Sequence, residues 1–268
     1  MCRVTQLQQA ILAKNDHHAD GLRAALAARG TGLVNLLSSP GSGKTALLEA
    51  ELTLARQRGV PVAALTADLA TENDATRLAR SGVPVKQVLT DGLCHLESEM
   101  LDAHLDGWLP EPTRLLFVEN VGNLVCPASY DLGESLRVVL ASVTEGEDKP
   151  LKYPTAFGLA QLVVVTKNDL AEAVEFDRET LLANIQRVNP GVEVVFTSTR
   201  RGGEGVGLLL DRALAVADGA PVHRPLMAAE AGADGHAHGH THGHTHGHAH
   251  SHGNGPEHTH PHHDAHAH

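Results

Sequence analysis

The chain is 268 residues long, 42% hydrophobic, and carries a formal charge of -11 at pH 7. That composition supplies one substantial core, and its shortage of clustered Lys and Arg excludes the basic stripe with which a protein displaces counterions from nucleic acid. No apolar run approaches the ~18 residues of a membrane span, so no membrane partner is expected.

The opening decapeptide, MCRVTQLQQA, lacks the charged, apolar, small-residue order of a signal peptide, which points to a cytoplasmic protein. Residues 1–28 read as a helical extension: Ile11 to Ala28 is rich in Ala and Leu, with a break expected near Asn15-Asp16. From residue 29, short β-rich runs alternate with helical ones: LVNLLSS, TALLEAELTLARQRG, PVAALTAD, TENDATRLARSG and VKQVLT. Further strands are expected in RLLFVEN, RVVLASVTE, QLVVVTKND and VEVVFTSTR, with helices in DRETLLANIQRVN and GGEGVGLLLDRALAVA. The alternation predicts an α/β domain over residues 29–225, a doubly wound, mostly parallel sheet with right-handed crossovers. Pro221 and Pro225 mark a linker, and residues 226–268 form a His-rich segment with no Val, Leu, Ile, Met or Phe after residue 236. Such a tail cannot bury enough surface to fold alone, so disorder is expected there.

The most informative stretch is NLLSSPGSGKTALL, residues 35 to 48. An apolar strand that breaks into small residues and then a helix turns several backbone N–H groups, and the positive end of the helix dipole, toward one point. Gly41 and Gly43 let the backbone approach phosphate oxygens, Lys44 can reach the outer phosphates, and the Thr45 hydroxyl can ligate Mg²⁺. The spacing departs from G-x-x-x-x-G-K-[ST] at Ser38, where the first Gly belongs. Asp68 and Glu119 end apolar strands, at the edge where open α/β sheets bind ligands; each could hold Mg²⁺, orient the attacking water, or simply be solvated. In TKND, the Asp169 carboxylate can accept from both the ring N–H and the exocyclic amine of guanine, a donor pair that adenine lacks. The Lys167 stem can lie over the base, and Thr166 replaces the usual Asn of the GTPase motif.

Cys94 and His95 adjoin in DGLCHLE, and Cys126 follows the Glu119 strand in VGNLVCPAS. The three cysteines of the chain, Cys2 included, are too few for a disulfide framework and are expected to stay reduced. Two thiolates and an imidazole suit Zn²⁺ or Ni²⁺, and three protein ligands leave a position open for exchange. Neighbours converge on one ion only at a turn, which Gly92 permits; the alternative is two cysteines buried as small hydrophobes beside an unrelated His. Of the 20 histidines, 15 lie between His236 and His268, among them His236, His238, His240, His242, His244, His246, His248, His250 and His252. Flexible spacers let several imidazoles wrap one ion loosely, which suits metal storage; a pH-responsive tail and a purification tag are the other readings.

The segments SSPGSGKT, DLATENDATR, DGLCHLE, ENVGNLVCPASYDLGE and SVTEGEDKPLKYP resemble the hydrogenase nickel-incorporation GTPases known as HypB, a likeness that TKND extends toward residue 215. In that family Ser is usual at the first-Gly position. The resemblance implies a SIMIBI-type P-loop NTPase domain that hydrolyses GTP to GDP and phosphate, forms a homodimer with GTP, and helps insert nickel during NiFe hydrogenase maturation. It implies a hydrogenase-maturation nickel chaperone and the hydrogenase large subunit as partners. It further implies that Gly41, Ser42, Gly43, Lys44, Thr45 and Ala46 hold the nucleotide, and that Lys44, Asp68 and Glu119 serve Mg²⁺ and hydrolysis. Lys167 and Asp169 would read guanine, Lys149 would contact nucleotide across the dimer, and Cys94, His95 and Cys126 would form the metal site of the G domain. The N-terminal Cys-x-x-Cys-Gly-Cys of some members is reduced here to Cys2, leaving nickel storage to the tail. No strong general base or in-place arginine finger is evident, so slow hydrolysis is expected. A urease-type nickel GTPase would share the chemistry, though EGEDKPLKYP speaks against it, and a nickel store with a vestigial nucleotide site would not need Lys44, Thr45 and Asp169.

Overall fold

The computed structural model describes residues 3–68, 73–90, 92–200 and 203–228. Helix α1 (Arg3–Ala28) leads into β1 (Gly32–Ser38), which breaks into a loop before α2 (Lys44–Gln57). Then come β2 (Val62–Asp68), α3 (Asn73–Ala79), β3 (Val85–Leu89), α4 (Ser98–Leu105), β4 (Leu115–Gly122) and β5 (Leu136–Ser142). Short helices α5 (Lys149–Lys152) and α6 (Pro154–Gly158) precede β6 (Leu162–Thr166), α7 (Arg178–Val188), β7 (Glu193–Phe196) and α8 (Leu208–Ala217). The seven strands are all parallel, in the order β3-β2-β4-β1-β5-β6-β7, so the expected doubly wound sheet is present.

Side chains alternate between the faces of a strand, and a parallel sheet covered by helices on both sides reads apolar on both. Val34, Leu36, Phe117, Val138 and Val164 cluster with Leu47, Leu48 and Leu52 of α2 and Leu209, Leu210 and Ala213 of α8. On the opposite face, Leu33, Leu65, Leu116 and Val118 pack with Leu22 and Leu26 of α1 and Leu101 and Leu105 of α4. Val139, Val163 and Val165 continue that face toward Phe157 of α6 and Leu181 and Ile185 of α7.

Asn15-Asp16 does not break α1, which runs continuously from Arg3 to Ala28. The expected break rests on Asn and Asp competing with the helix for local backbone partners. Here the Asn15 side chain is used between elements instead: Nδ2 donates to the Asp131 carbonyl at 2.8 Å, and Oδ1 accepts from the Ser98 amide at 3.0 Å. The helix joins the same hydrophobic cluster as α4, so it closes one face of the sheet.

Strand β1 lies at the switch in strand order, with β4-β2-β3 to one side and β5-β6-β7 to the other. Loops leaving the strand ends diverge at such a point and open a crevice there. No helix among the described residues is long and apolar enough to cross a membrane. Cys2 and the histidines from His236 to His268 lie outside the described residues.

Candidate functional site

The loop after β1 occupies that crevice. Gly41 and Gly43 have φ of 75° and 91°, left-handed values that Gly adopts without steric cost. A cavity of about 440 Å³ opens over the loop, lined by Ser38 to Ala46 together with Asp74, Arg77, Glu119 and Gly122. Lys44 is buried; its Nζ donates to the Asn120 carbonyl at 2.6 Å and lies 3.7 Å from Glu119 Oε1. Thr45 Oγ1 donates to the same Glu119 oxygen at 2.6 Å. Burial pushes the Glu119 carboxyl above its ordinary range, against the pull of Lys44 and Thr45 toward ionisation. Glu119 Oε2 and the Ser42 hydroxyl are buried with no hydrogen-bond partner among the described residues. A buried carboxylate oxygen in that position, beside a Thr hydroxyl, fits a bound cation or its water.

Asp68 ends β2 opposite Leu89 of β3, as its place in PVAALTAD indicates; its side chain is outside the described part of the structure. Asp74 and Arg77, both on α3, line the cavity although sequence reasoning gave them no role. The signal was their place in DLATENDATR, but only the packing of α3 shows which side chains reach the loop. Arg77 Nε donates to Glu49 Oε2 at 2.7 Å, which holds the guanidinium at the cavity edge.

A second cavity of about 350 Å³ shares Gly43, Ala46 and Arg77 with the first and continues past Thr166, Lys167, Asp169 and Thr197. Lys167 adopts a left-handed φ of 57°, and its Nζ donates to the Gly41 carbonyl at 2.7 Å. Ser198 Oγ donates to Asp169 Oδ1 at 2.6 Å, fixing one carboxylate oxygen. That serine lies in VFTSTR, which reads only as a strand, so its role as an orienting group was invisible in sequence. Thr166 donates through its hydroxyl to the Ser42 carbonyl and, at 3.2 Å, to the Ala141 carbonyl, so the residue that departs from the GTPase pattern still ties the base loop to the phosphate loop. Lys149 lines neither cavity: it is buried, ion-paired with Glu145, and 5.9 Å from the Tyr153 ring centre.

Gly92, with φ of 87°, supplies the turn after β3, and Cys94 and His95 leave it together. Cys94 Sγ lies 3.7 Å from His95 Nδ1. A hydrogen bond between the Cys94 and Cys126 thiols, reinforced by burial, pushes the Cys94 thiol above its ordinary range. The three residues that the sequence singles out are therefore neighbours. The imidazole is otherwise engaged, stacked on Tyr130 with 3.9 Å between ring centres and with Nε2 at 3.3 Å from Glu97 Oε1. Among the described residues, no three His, Cys, Asp or Glu side chains converge closely enough to hold an ion.

The model of the CobW/HypB/UreG nucleotide-binding domain matches residues 33–196. The hydrogenase maturation factor HypB of Azotobacter vinelandii is 46% identical over 205 residues, 76% of this chain and 67% of the relative. A Helicobacter pylori protein named hydrogenase/urease maturation factor HypB is 38% identical over 200 residues, 73% of this chain and 81% of its own length. Among solved structures, HypB from Helicobacter pylori in complex with nickel matches with a TM-score of 0.68 and 36% identity, over 75% of this chain and 95% of that one.

Proposed function

The chain belongs to the CobW/HypB/UreG nucleotide-binding family, among the HypB maturation factors, and on that premise we propose that it is a GTP-hydrolysing nickel chaperone for NiFe hydrogenase. The observation that carries this reading is the junction of two cavities at Gly43, Ala46 and Arg77, which lets one nucleotide set its base against Asp169 and its phosphates over Gly41 to Thr45.

The phosphate-loop amides and the N-terminus of α2 hold the phosphates, and Lys44 turns its ammonium from the Asn120 carbonyl to the outer ones. Thr45 and Glu119 would hold Mg²⁺, with Asp68 at the next strand end; the ion supplies neutralisation of charge on the outer phosphates. Asp68 or Glu119 orients the attacking water. Arg77, tied to Glu49, is not committed to the phosphates, so turnover by the isolated protein is expected on the order of 0.001 per second or below. Phosphate release measured with GTP and with ATP checks this: turnover of roughly 10 per second, or equal rates with ATP, would overturn the assignment.

Nickel is the cargo. Cys94, Cys126 and His95 supply a partial ligand set, which a second copy in a GTP-bound homodimer completes, and the tail histidines store further ions. The same dimer would bring Lys149 toward the facing nucleotide. Partners are a hydrogenase-maturation nickel chaperone and the hydrogenase large subunit. Zn²⁺ would suit the same thiolates. Ending the chain at Met227 is expected to lower the number of nickel ions bound while GTP hydrolysis stays within about twofold, the size of an effect remote from the chemistry. Equilibrium dialysis and phosphate release on the two proteins check it, and lost hydrolysis would show the tail to be more than a store.

A second client has one specific support: the Helicobacter pylori relative is named for urease as well as hydrogenase. A storage protein with a vestigial nucleotide site is disfavoured by the contacts among Lys44, Thr45 and Glu119, which storage does not require.

A further inference from the structure

The three central strands β4, β1 and β5 are apolar where they face α1 and its neighbours, with the exception of one polar row. Asn35 is wholly buried in the middle of β1, directly beside Arg137 of β5 in the strand register. Asn120, also wholly buried, follows Val118, the register partner of Asn35 on β4. Glu134, just before β5, completes the row and is 8% exposed. Burying two amides, a carboxylate and a guanidinium is costly unless every group is bonded, so the arrangement of their bonds is informative.

The bonds run from the phosphate loop to the cysteine cluster. Lys44 Nζ donates to the Asn120 carbonyl at 2.6 Å; Asn120 Nδ2 donates to Asn35 Oδ1 at 3.4 Å; and Asn35 Nδ2 donates to Glu134 Oε1 at 3.4 Å. The same Glu134 oxygen accepts from Arg137 Nε at 2.6 Å. Arg137 then spends the rest of its planar fork on one turn of chain: Nη1 donates to the Ala128 carbonyl and Nη2 to the Tyr130 carbonyl, each at 3.0 Å. That turn begins at Cys126 and ends at Tyr130, whose ring carries His95. Only Arg offers this geometry, because Lys presents a point charge without the fork.

We infer that Arg137 is a positioning residue that sets the Cys126–Tyr130 turn, and that the Asn120–Asn35–Glu134 row makes its position depend on what Lys44 holds. When Lys44 turns to a phosphate, the Asn120 carbonyl loses its charged donor. The two 3.4 Å bonds are the long, weak links of the row, and they re-form around that change. The Glu134–Arg137 pair moves with them and carries the turn that holds Cys126. This rests on the reading of the chain as a nucleotide-gated metal carrier, and it names the residues that do the gating.

The test uses the full chain and no metal. Alkylation rates of Cys94 and Cys126 are followed by peptide mass spectrometry with GDP and with a non-hydrolysable GTP analogue, alongside GTP hydrolysis and the thermal midpoint. In the wild type the two nucleotide states are expected to differ by about fivefold or more at one of the two thiols. Asn35→Val, which breaks the middle of the row without removing a hydrogen bond of Lys44 or Arg137, is expected to bring that ratio to near one while hydrolysis is kept. Arg137→Lys keeps the charge beside Glu134 but not the fork; it is expected to raise thiol reactivity in both states and abolish the difference. A merely structural role would lower the thermal midpoint and leave the nucleotide ratio intact, and a retained ratio in either folded variant overturns the inference. If Asn35→Val does not fold, Arg137→Lys decides alone. A wild type with no nucleotide dependence would overturn the gating reading itself, and the inference with it.

Discussion

Replacing Asp169 by Asn is expected to cost GTP at least about two orders of magnitude in affinity, the loss of two charge-assisted hydrogen bonds, and to improve binding of xanthosine triphosphate. A carboxylate accepts from both donors on the guanine edge, whereas an amide must turn its NH₂ toward one of them and leave a buried mismatch. Xanthine presents an oxygen where guanine has its amine, so the amide suits it. The geometry supports a clean outcome, because Ser198 fixes one carboxylate oxygen at 2.6 Å and can equally donate to an amide oxygen. Lys167, bonded to the Gly41 carbonyl, is untouched by the change. Competition binding with GTP, ATP and xanthosine triphosphate measures the effect. An unchanged preference for guanine would remove the assignment of TKND.

The layered fold was legible because a buried parallel strand is a short apolar run, and LVNLLSS, RLLFVEN and QLVVVTKND each gave one. Those same runs pointed to Glu119 and Asp169, but Glu119 does not end its strand as expected: β4 continues past it to Gly122, because its pairing with β1 extends to Gly122. Asp169 lies in the turn after β6. Less visible were the short helices α5 and α6, and α4, where neither length nor periodicity rose above the surrounding loops. Asn15 misled because a local preference was read where a contact between elements decides. Asp74, Arg77 and Ser198 carry no signature of their own, since what matters is which loop their elements pack against. The polar row is an intermediate case. Asn35 stands out inside LVNLL and Arg137 inside LRVVL, yet only the order β4-β1-β5 makes them neighbours. Likewise the nearness of Cys94 and Cys126 could be read from two strand ends, whereas the stacking of His95 on Tyr130 could not.

Lys44→Met is expected to lower kcat/KM for GTP by about 10² to 10³, the usual loss when one preorganised donor to a transition-state oxygen is removed. The phosphate loop should survive, because Met fills the volume of the Lys stem and the Thr45 to Glu119 bond remains. The structure adds a second expectation that separates this account from general damage. Lys44 is the cation beside Glu119, whose carboxyl burial already pushes upward. Without that cation the folded protein holds the Glu119 proton to still higher pH. A carboxyl raised on folding binds more protons in the folded chain than in the unfolded one, so its contribution to stability is most favourable at low pH and falls as pH rises toward the folded value. Widening that window makes the variant's stability deficit grow with pH. Urea midpoints of wild type and Lys44→Met should therefore lie closest near pH 5 and diverge toward pH 8, while hydrolysis is lost throughout. A deficit that is the same at both pH values would show that Glu119 does not depend on Lys44, and the shared contact at the base of the phosphate cavity would then have no electrostatic role.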